Sequence, residues 1–291
     1  MARYSRNQNL TLLSVLAHPD DESFGMGGTL ALYARRGVSV HLVCATRGEV
    51  GDVEPHHLQG YGSIGELRED ELRCAAKQLG LAGVHFLDYR DSGMPGSADN
   101  RHAQACAAAP VDEVAARIVH YIRMLRPQVV VTFDPIGGYR HPDHIAVHQA
   151  TVQAFHAAGD PLACPGEYPP YQPHKLYFHT FPRAFMKWAV RLMPLFGKDP
   201  RRFGANQDID LLSLAGVDFP IHARIDYQEV QAEKEAASAC HASQGNMGPT
   251  SGPLRWAMRV AGSKDLYMRA HPPAQPGLRE RDLFEGIDGR S

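Results

Sequence analysis

Two short runs concentrate the residues able to do chemistry. Residues 17 to 22 read Ala17, His18, Pro19, Asp20, Asp21, Glu22, which places one imidazole and three carboxylates within five positions. Imidazole and carboxylate are ligands for a borderline divalent ion such as zinc, and three acids with no local Lys or Arg repel one another unless a cation sits among them. Helix capping would account for one acid at such a place, not three. His18 and Asp21 stand three apart, so in a turn entering a helix they can face one side while Asp20 faces another. One carboxylate is then available to a metal and the other is free as a base. The second run, Gly137, Gly138, Tyr139, Arg140, His141, Pro142, Asp143, His144, supplies two more histidines and an acid. Together the runs offer His, Asp and His with a fourth position left for water, the pattern of a catalytic zinc rather than a structural one. The same donors also accept Fe2+, so the donor set alone leaves the two ions open.

Both runs follow β-type segments, and the elements around them set the fold class. Apolar β-runs at 10–17, 38–46, 84–88, 128–134 and 175–181 alternate with helical stretches ending at Gly37, over about 66–79, from about 111 to 125 and from about 144 to 157. Strands separated by helices imply βαβ crossovers, hence an α/β fold: a Rossmann-like, doubly wound, mainly parallel sheet with helices on both faces. If the strand order is 3-2-1-4-5, the first and fourth strands are neighbours at the switch point and both histidine runs open onto one crevice. The long loops 47–65 and 89–110 follow strand ends, where such sheets put their ligands. A further strand is expected around 217–226, followed by a helix that stops at Gly245. The whole chain, 1–291, reads as one domain with an inserted segment near 181–210 and a small packed C-terminal tail over 246–291.

Composition narrows the function classes. Thirty basic against thirty-two acidic residues in 291 give a formal charge of -2, which argues against nucleic acid as a partner because no excess of Lys and Arg exists to neutralise phosphate. No apolar stretch is long enough to span a bilayer, and the first ten residues lack a secretory leader, so the expected location is cytoplasmic. Cys44, Cys74, Cys106, Cys164 and Cys240 are odd in number and widely spaced, and are expected to be reduced thiols. Gly25, Gly27 and Gly28 lack the third glycine of a dinucleotide fingerprint and instead let a helix start close to the sheet. Arg47, Glu49, Arg68, Arg90 and Arg140 are candidates to line the crevice, with solvated ion pairs as the competing account. The insert carries Phe185, Trp188, Leu192, Met193, Leu195 and Phe196 beside Arg183, Lys187 and Arg191. That stripe packs on its own domain or on a second copy in a homo-oligomer more readily than on an anionic membrane surface.

Taken with GGT at 27–29, TRGE at 46–49, IGELREDEL at 64–72, DSGM at 91–94 and CHASQ at 240–244, the AHPDDE and HPDH runs resemble the zinc-dependent N-deacetylases of the LmbE/PIG-L family. The GGYRHPDH and DSGM segments are most similar to the mycothiol-pathway deacetylases, which act on N-acetylglucosaminyl-inositol. The resemblance implies that His18, Asp21 and His144 bind the metal and that Asp20 is the general base. It further implies that His141 stabilises the oxyanion, that Tyr139 sits over the substrate carbonyl and that Asp91 contacts a sugar hydroxyl. His241 becomes a candidate supporting residue behind the site. One position departs from the pattern: Ser63 stands where those enzymes have an arginine before IGEL. The implied reaction is removal of an N-acetyl group from an N-acetylglucosamine-type conjugate, a small amino-sugar substrate, by metal-activated water. Cleavage of a thiol conjugate or another amide on the same scaffold is the alternative. A non-haem iron oxygenase shares the donor set but sits on antiparallel barrels, which the βα alternation disfavours.

Overall fold

The computed structural model of the chain describes residues 10–181, 190–191, 193–196, 199–201, 210–245 and 263–287. β1 (Thr11–Leu16), β2 (Ser39–Cys44), β3 (Gly83–Phe86), β4 (Val129–Phe133) and β5 (Lys175–Thr180) are strands, joined through α1 (Asp21–Phe24), α2 (Gly27–Arg35), α3 (Ile64–Leu79), α4 (Val111–Leu125), α5 (Gly137–Arg140) and α6 (Pro142–Ala157). They are followed by α7 (Leu211–Ala215), β6 (Ala223–Asp226), α8 (Gln231–Cys240) and β7 (Lys264–His271). The seven strands form one sheet in the order β3-β2-β1-β4-β5-β7-β6. Pairing is parallel from β3 through β5 and antiparallel at β5–β7 and β7–β6. β1 and β4 are adjacent, with Leu12 opposite Val129 and Ser14 opposite Val131, so the two histidine runs leave the sheet side by side.

Burial on both faces explains the near-continuous apolar strands. Leu12, Leu13, Val15 and Leu16 of β1 and Val129 to Val131 of β4 are fully buried, each side chain stabilising the sheet by roughly 1.5–3 kcal/mol. On the flanks α4 packs beside α6, and α3 packs beside α8 and α2. Helix boundaries follow local chemistry. Ser63 caps α3 by accepting the N–H of Glu66, and Glu66 reaches back to the N–H of Gly62 at 2.7 Å. Gly80, left-handed at φ 72°, ends that helix. Ser63, the position that departs from the family pattern, is thus a helix cap. At Gly28 a Cβ would stand 2.1 Å from the ring of Tyr227, the residue after β6, so the start of α2 packs closely on that side chain.

Three expectations need correcting or bounding. The last forty residues are not merely a packed tail, because Lys264–His271 form β7 inside the sheet, between β5 and the edge strand β6. Its pairing partners, β5 and β6, are remote in sequence, so no local pattern announced it. Residues beyond β7 return beneath it. Glu280 accepts from Lys175 Nζ at 2.9 Å, Tyr177 Oη at 2.8 Å and Arg269 Nη1 at 2.9 Å. The cysteines are not all reduced: Cys74 of α3 and Cys240 of α8 form a disulfide with Cα atoms 5.8 Å apart across 166 residues, while Cys44, Cys106 and Cys164 are free. Wide spacing conceals a pair that helix packing brings together. Most of the expected insert, including Arg183, Phe185, Lys187, Trp188 and Leu192, lies outside the described residues. Among the described residues, no helix is long and apolar enough to cross a membrane.

Candidate metal centre

Past β1 the chain turns sharply. Asp20 has φ 122°, a left-handed conformation that a residue with a Cβ adopts only when held there. Its N–H donates to Glu22 Oε2 at 3.0 Å, and its Oδ2 accepts from Arg68 Nη2 at 2.9 Å. The same Arg68 nitrogen donates to the Pro19 carbonyl at 2.7 Å, and Nη1 donates to the Gly48 carbonyl at 3.0 Å. Gly48 has to be glycine: its φ is +67°, and a Cβ would stand 2.1 Å from the Arg68 guanidinium.

Past β4, Asp134 Oδ1 accepts the N–H groups of Ile136 and Gly138 at 3.2 and 2.8 Å and folds the loop back over the strand end. His141 then caps α6, its Nδ1 accepting the Asp143 N–H at 3.2 Å, with Pro142 in the first helical turn where no N–H is missed. Capping and site membership are not alternatives here, because the cap uses one ring nitrogen and leaves Nε2. The His141 ring centroid lies 4.5 Å from that of His18 and 5.0 Å from that of His144. His144, one turn into α6, stacks on Phe133 at 3.9 Å.

The two turns bring three donors into a triangle. His18 Nδ1 and His144 Nε2 are 3.2 Å apart, Asp21 Oδ2 is 3.6 Å from His18 Nδ1, and Asp21 Oδ1 is 3.3 Å from His144 Nε2. Donors about 2.0–2.1 Å from a shared tetrahedral ion stand about 3.3 Å apart, close to the His18–His144 separation, and the Asp21 carboxylate turns one oxygen toward each ring. The far nitrogen of His18, Nε2, donates to Asp143 Oδ2 at 3.2 Å and lies 3.5 Å from Asp91 Oδ1. Asp143 is fully buried and held by Ser92, whose N–H donates to Oδ2 at 2.9 Å and whose hydroxyl donates to Oδ1. A carboxylate on the far nitrogen fixes the tautomer that leaves Nδ1 bare toward a metal. The groupings whose donor atoms all lie close enough to share a cation are His18 and His141 with His144, and His18 and His141 with Asp91 and Asp143. The first overlaps the triangle; in the second, the acids occupy the opposite side of the His18 ring.

Electrostatics separate the two neighbouring aspartates. Burial raises the Asp20 carboxyl to about 7, against the pull of Arg68 and with Asp21 pushing the same way. Burial also pushes Asp21 up, but His144 and His18 outweigh it and hold that carboxyl far below the usual range. Adjacent carboxylates driven apart in this way suit different tasks: one holds a cation, the other takes a proton near neutral pH. Burial, reinforced by His18 and His144, keeps the His141 ring neutral. Burial pushes the Tyr139 phenol well above its ordinary value, so it remains a hydroxyl donor, 4.9 Å ring to ring from His144.

Of the remaining residues singled out in the sequence, Asp91 is buried, its Oδ1 accepting the Gly93 N–H at 2.8 Å and facing His18. Arg68 is committed to Asp20 and two carbonyls rather than solvated. Arg47 pairs with Glu69 and Asp88 at 2.5 and 2.7 Å, and Arg140 is exposed with φ 70°. Sequence reasoning overlooked the supports Asp143, Ser92 and Glu22. Each lies inside a run already marked as notable, but their partners are remote in the chain.

The family model described as GlcNAc-PI de-N-acetylase (PIG-L) matches residues 13–155, which span both runs. A 1D-myo-inositol 2-acetamido-2-deoxy-alpha-D-glucopyranoside deacetylase from Thermobifida fusca is 40% identical, with 94% of this chain and 98% of the relative covered. The chain belongs to the PIG-L/LmbE family. A Streptomyces scabiei family member with the same name is 38% identical, with 96% of this chain and 90% of the relative covered. Solved structures extend the PIG-L/LmbE likeness at the level of fold. An N,N'-diacetylchitobiose deacetylase from Pyrococcus horikoshii has a TM-score of 0.59 at 20% identity, covering 98% of this chain and 90% of that one. A 4-carboxy-2-hydroxymuconate hydratase from Pseudomonas putida KT2440 has a TM-score of 0.56 at 20% identity, covering 92% and 99%. The scaffold therefore hosts more than one reaction, and the site decides among them.

Proposed function

We propose that this PIG-L/LmbE deacetylase is a single-domain, zinc-dependent enzyme that removes the N-acetyl group from a glucosamine linked to an inositol-type polyol. The observation that carries the reading is the triangle of His18 Nδ1, Asp21 and His144 Nε2 beside a second carboxylate, Asp20, raised to about 7. The polyol rests on the curated relatives, which share that substrate name across nearly their whole length.

His18, Asp21 and His144 would hold the divalent ion, with Asp143 on the far nitrogen of His18 supporting the imidazole. When bound, the ion supplies Lewis-acid polarisation of the amide carbonyl and acidifies a water. Asp20, deprotonated above its raised value, removes a proton from the attacking water and returns it to the departing amine. His141, neutral and pinned by its cap, and Tyr139, kept as a hydroxyl, are donors for the charge that builds on the carbonyl oxygen. Removing one such donor costs about 3–4 kcal/mol of transition-state stabilisation.

The test is free-amine release from N-acetylglucosaminyl-inositol and a panel of N-acetylglucosamine conjugates by zinc-loaded protein. Release from the inositol conjugate with Asp20→Asn inactive but still metal-loaded, and with metal lost in His18→Ala and His144→Ala, is the expected result. Wild-type turnover by Asp20→Asn would sink the assignment of the base. A metal-loaded protein inert on every sugar and active on a thiol-conjugate amide would move the substrate class.

A further inference from the structure

We propose that His241 is a positioning residue, acting through Glu22 to hold the Asp20 backbone in its catalytic conformation. Asp20 holds a left-handed φ of 122° that a residue with a Cβ does not keep unaided. Arg68 grips its carboxylate and the Pro19 carbonyl, the Ser23 and Phe24 N–H groups donate to the Asp20 carbonyl, and Glu22 takes the Asp20 N–H through the 3.0 Å bond to Oε2. The other oxygen of Glu22 accepts from His241 Nε2 at 2.7 Å and from the Ser23 hydroxyl at 2.5 Å. Glu22 and His241 are both fully buried, so no water replaces a lost partner without a rearrangement. The imidazole therefore sets the rotation of the Glu22 carboxylate, and the carboxylate sets the turn that aims Asp20.

His241 is fastened through its neighbours in the chain on both sides. The residue before it, Cys240, is covalently tied to Cys74 of α3. Two residues after it, Ser243 donates its N–H and hydroxyl to the buried Glu71 of α3 at 2.8 and 2.7 Å. The helix that carries Arg68 thus also carries both anchors of the His241 segment, so α3 braces Asp20 from its carboxylate side directly and from its backbone side through His241 and Glu22. Phe24 flanks the ring at 5.8 Å between centroids, leaving Glu22 as the polar group that defines its orientation.

The inference rests on Asp20 being the base, and amine release by the parent enzyme and its Asp20→Asn variant tests that reading separately. With an active parent, the decisive variants are His241→Phe, which fills the volume without a donor, and His241→Gln, whose amide nitrogen can stand near Nε2. His241→Phe is expected to lower kcat on the order of tenfold to a hundredfold, the scale of a slightly misplaced catalytic group. KM and bound zinc should stay near parental values, and His241→Gln should recover most of the loss. Parental kcat in His241→Phe overturns the proposal, as does a loss confined to KM or zinc content, or one that His241→Gln leaves unrepaired. Should His241→Phe fail to fold, Glu22→Gln carries the decision: a kcat-selective loss with zinc retained supports the strut, and unchanged kcat overturns it.

Discussion

Asp143 shows how much of the proposed metal site lies behind its candidate ligands. Its carboxylate touches His18 on the nitrogen opposite the donor triangle and is itself saturated by the Ser92 N–H and hydroxyl. An imidazole needs one bare nitrogen toward a metal and one N–H satisfied elsewhere, and Asp143 supplies the second condition. Asp143→Asn is expected to weaken zinc binding about 10- to 100-fold while the chain stays folded, since Ser92 can still bond the amide. Competition against a fluorescent chelator reads this directly; parental affinity would remove Asp143 from the site. At this scale the residue types were legible in the sequence. The adjacent acids Asp20, Asp21 and Glu22 repel one another without a cation, a consequence of their spacing alone. The pairing of Asp143 with His18 was not legible, because 125 residues separate them and only the β1–β4 adjacency closes the gap.

At the scale of elements, α3 is the member on which the site depends most. It supplies Arg68 to Asp20 and, one turn on, Glu71 to Ser243, and Cys74 ties the helix to the end of α8. A crosslink closing a 166-residue loop restricts the unfolded chain, worth about 3–5 kcal/mol in the loop-entropy view. Cys74→Ser is expected to lower Tm by several degrees, matched by the parent under a reducing agent; equal melting temperatures for variant and parent would show that the crosslink does not form. The helix itself was expected over about 66–79, and the structure starts it at Ile64 behind the Ser63 cap and stops it at Gly80. Its disulfide was not, since the cysteine count and spacings carry no information about which helices become neighbours. β7 was missed for the same reason: Lys264–His271 has no strict alternation, and it is a strand because β5 and β6 offer edges on either side.

For the molecule as a whole, the cost of burying histidines appears as a pH dependence of stability. His179, at the end of β5 and almost fully buried, is held down to about 4, burial outweighing the attraction of Asp265. The unfolded chain protonates this ring below about 6.5 whereas the folded protein does so only near 4, so stability is intact above 6.5 and is lost as pH falls toward 4. This one group accounts for up to about 3 kcal/mol. His179→Phe should melt with a shallower decline between pH 6.5 and 4 than the parent, in differential calorimetry on zinc-free protein of both; parallel declines would assign the acid sensitivity elsewhere. Local chemistry was enough to read the α/β class and the adjacency of the two histidine runs at the switch point, because periodicity acts between near neighbours in the chain. Only the tertiary structure decided which ring nitrogen faces which carboxylate, that Asp20 and Asp21 take opposite protonation preferences, and that Cys74 meets Cys240. Those outcomes depend on distances of a few ångströms between residues tens to hundreds of positions apart, which packing sets and sequence spacing does not.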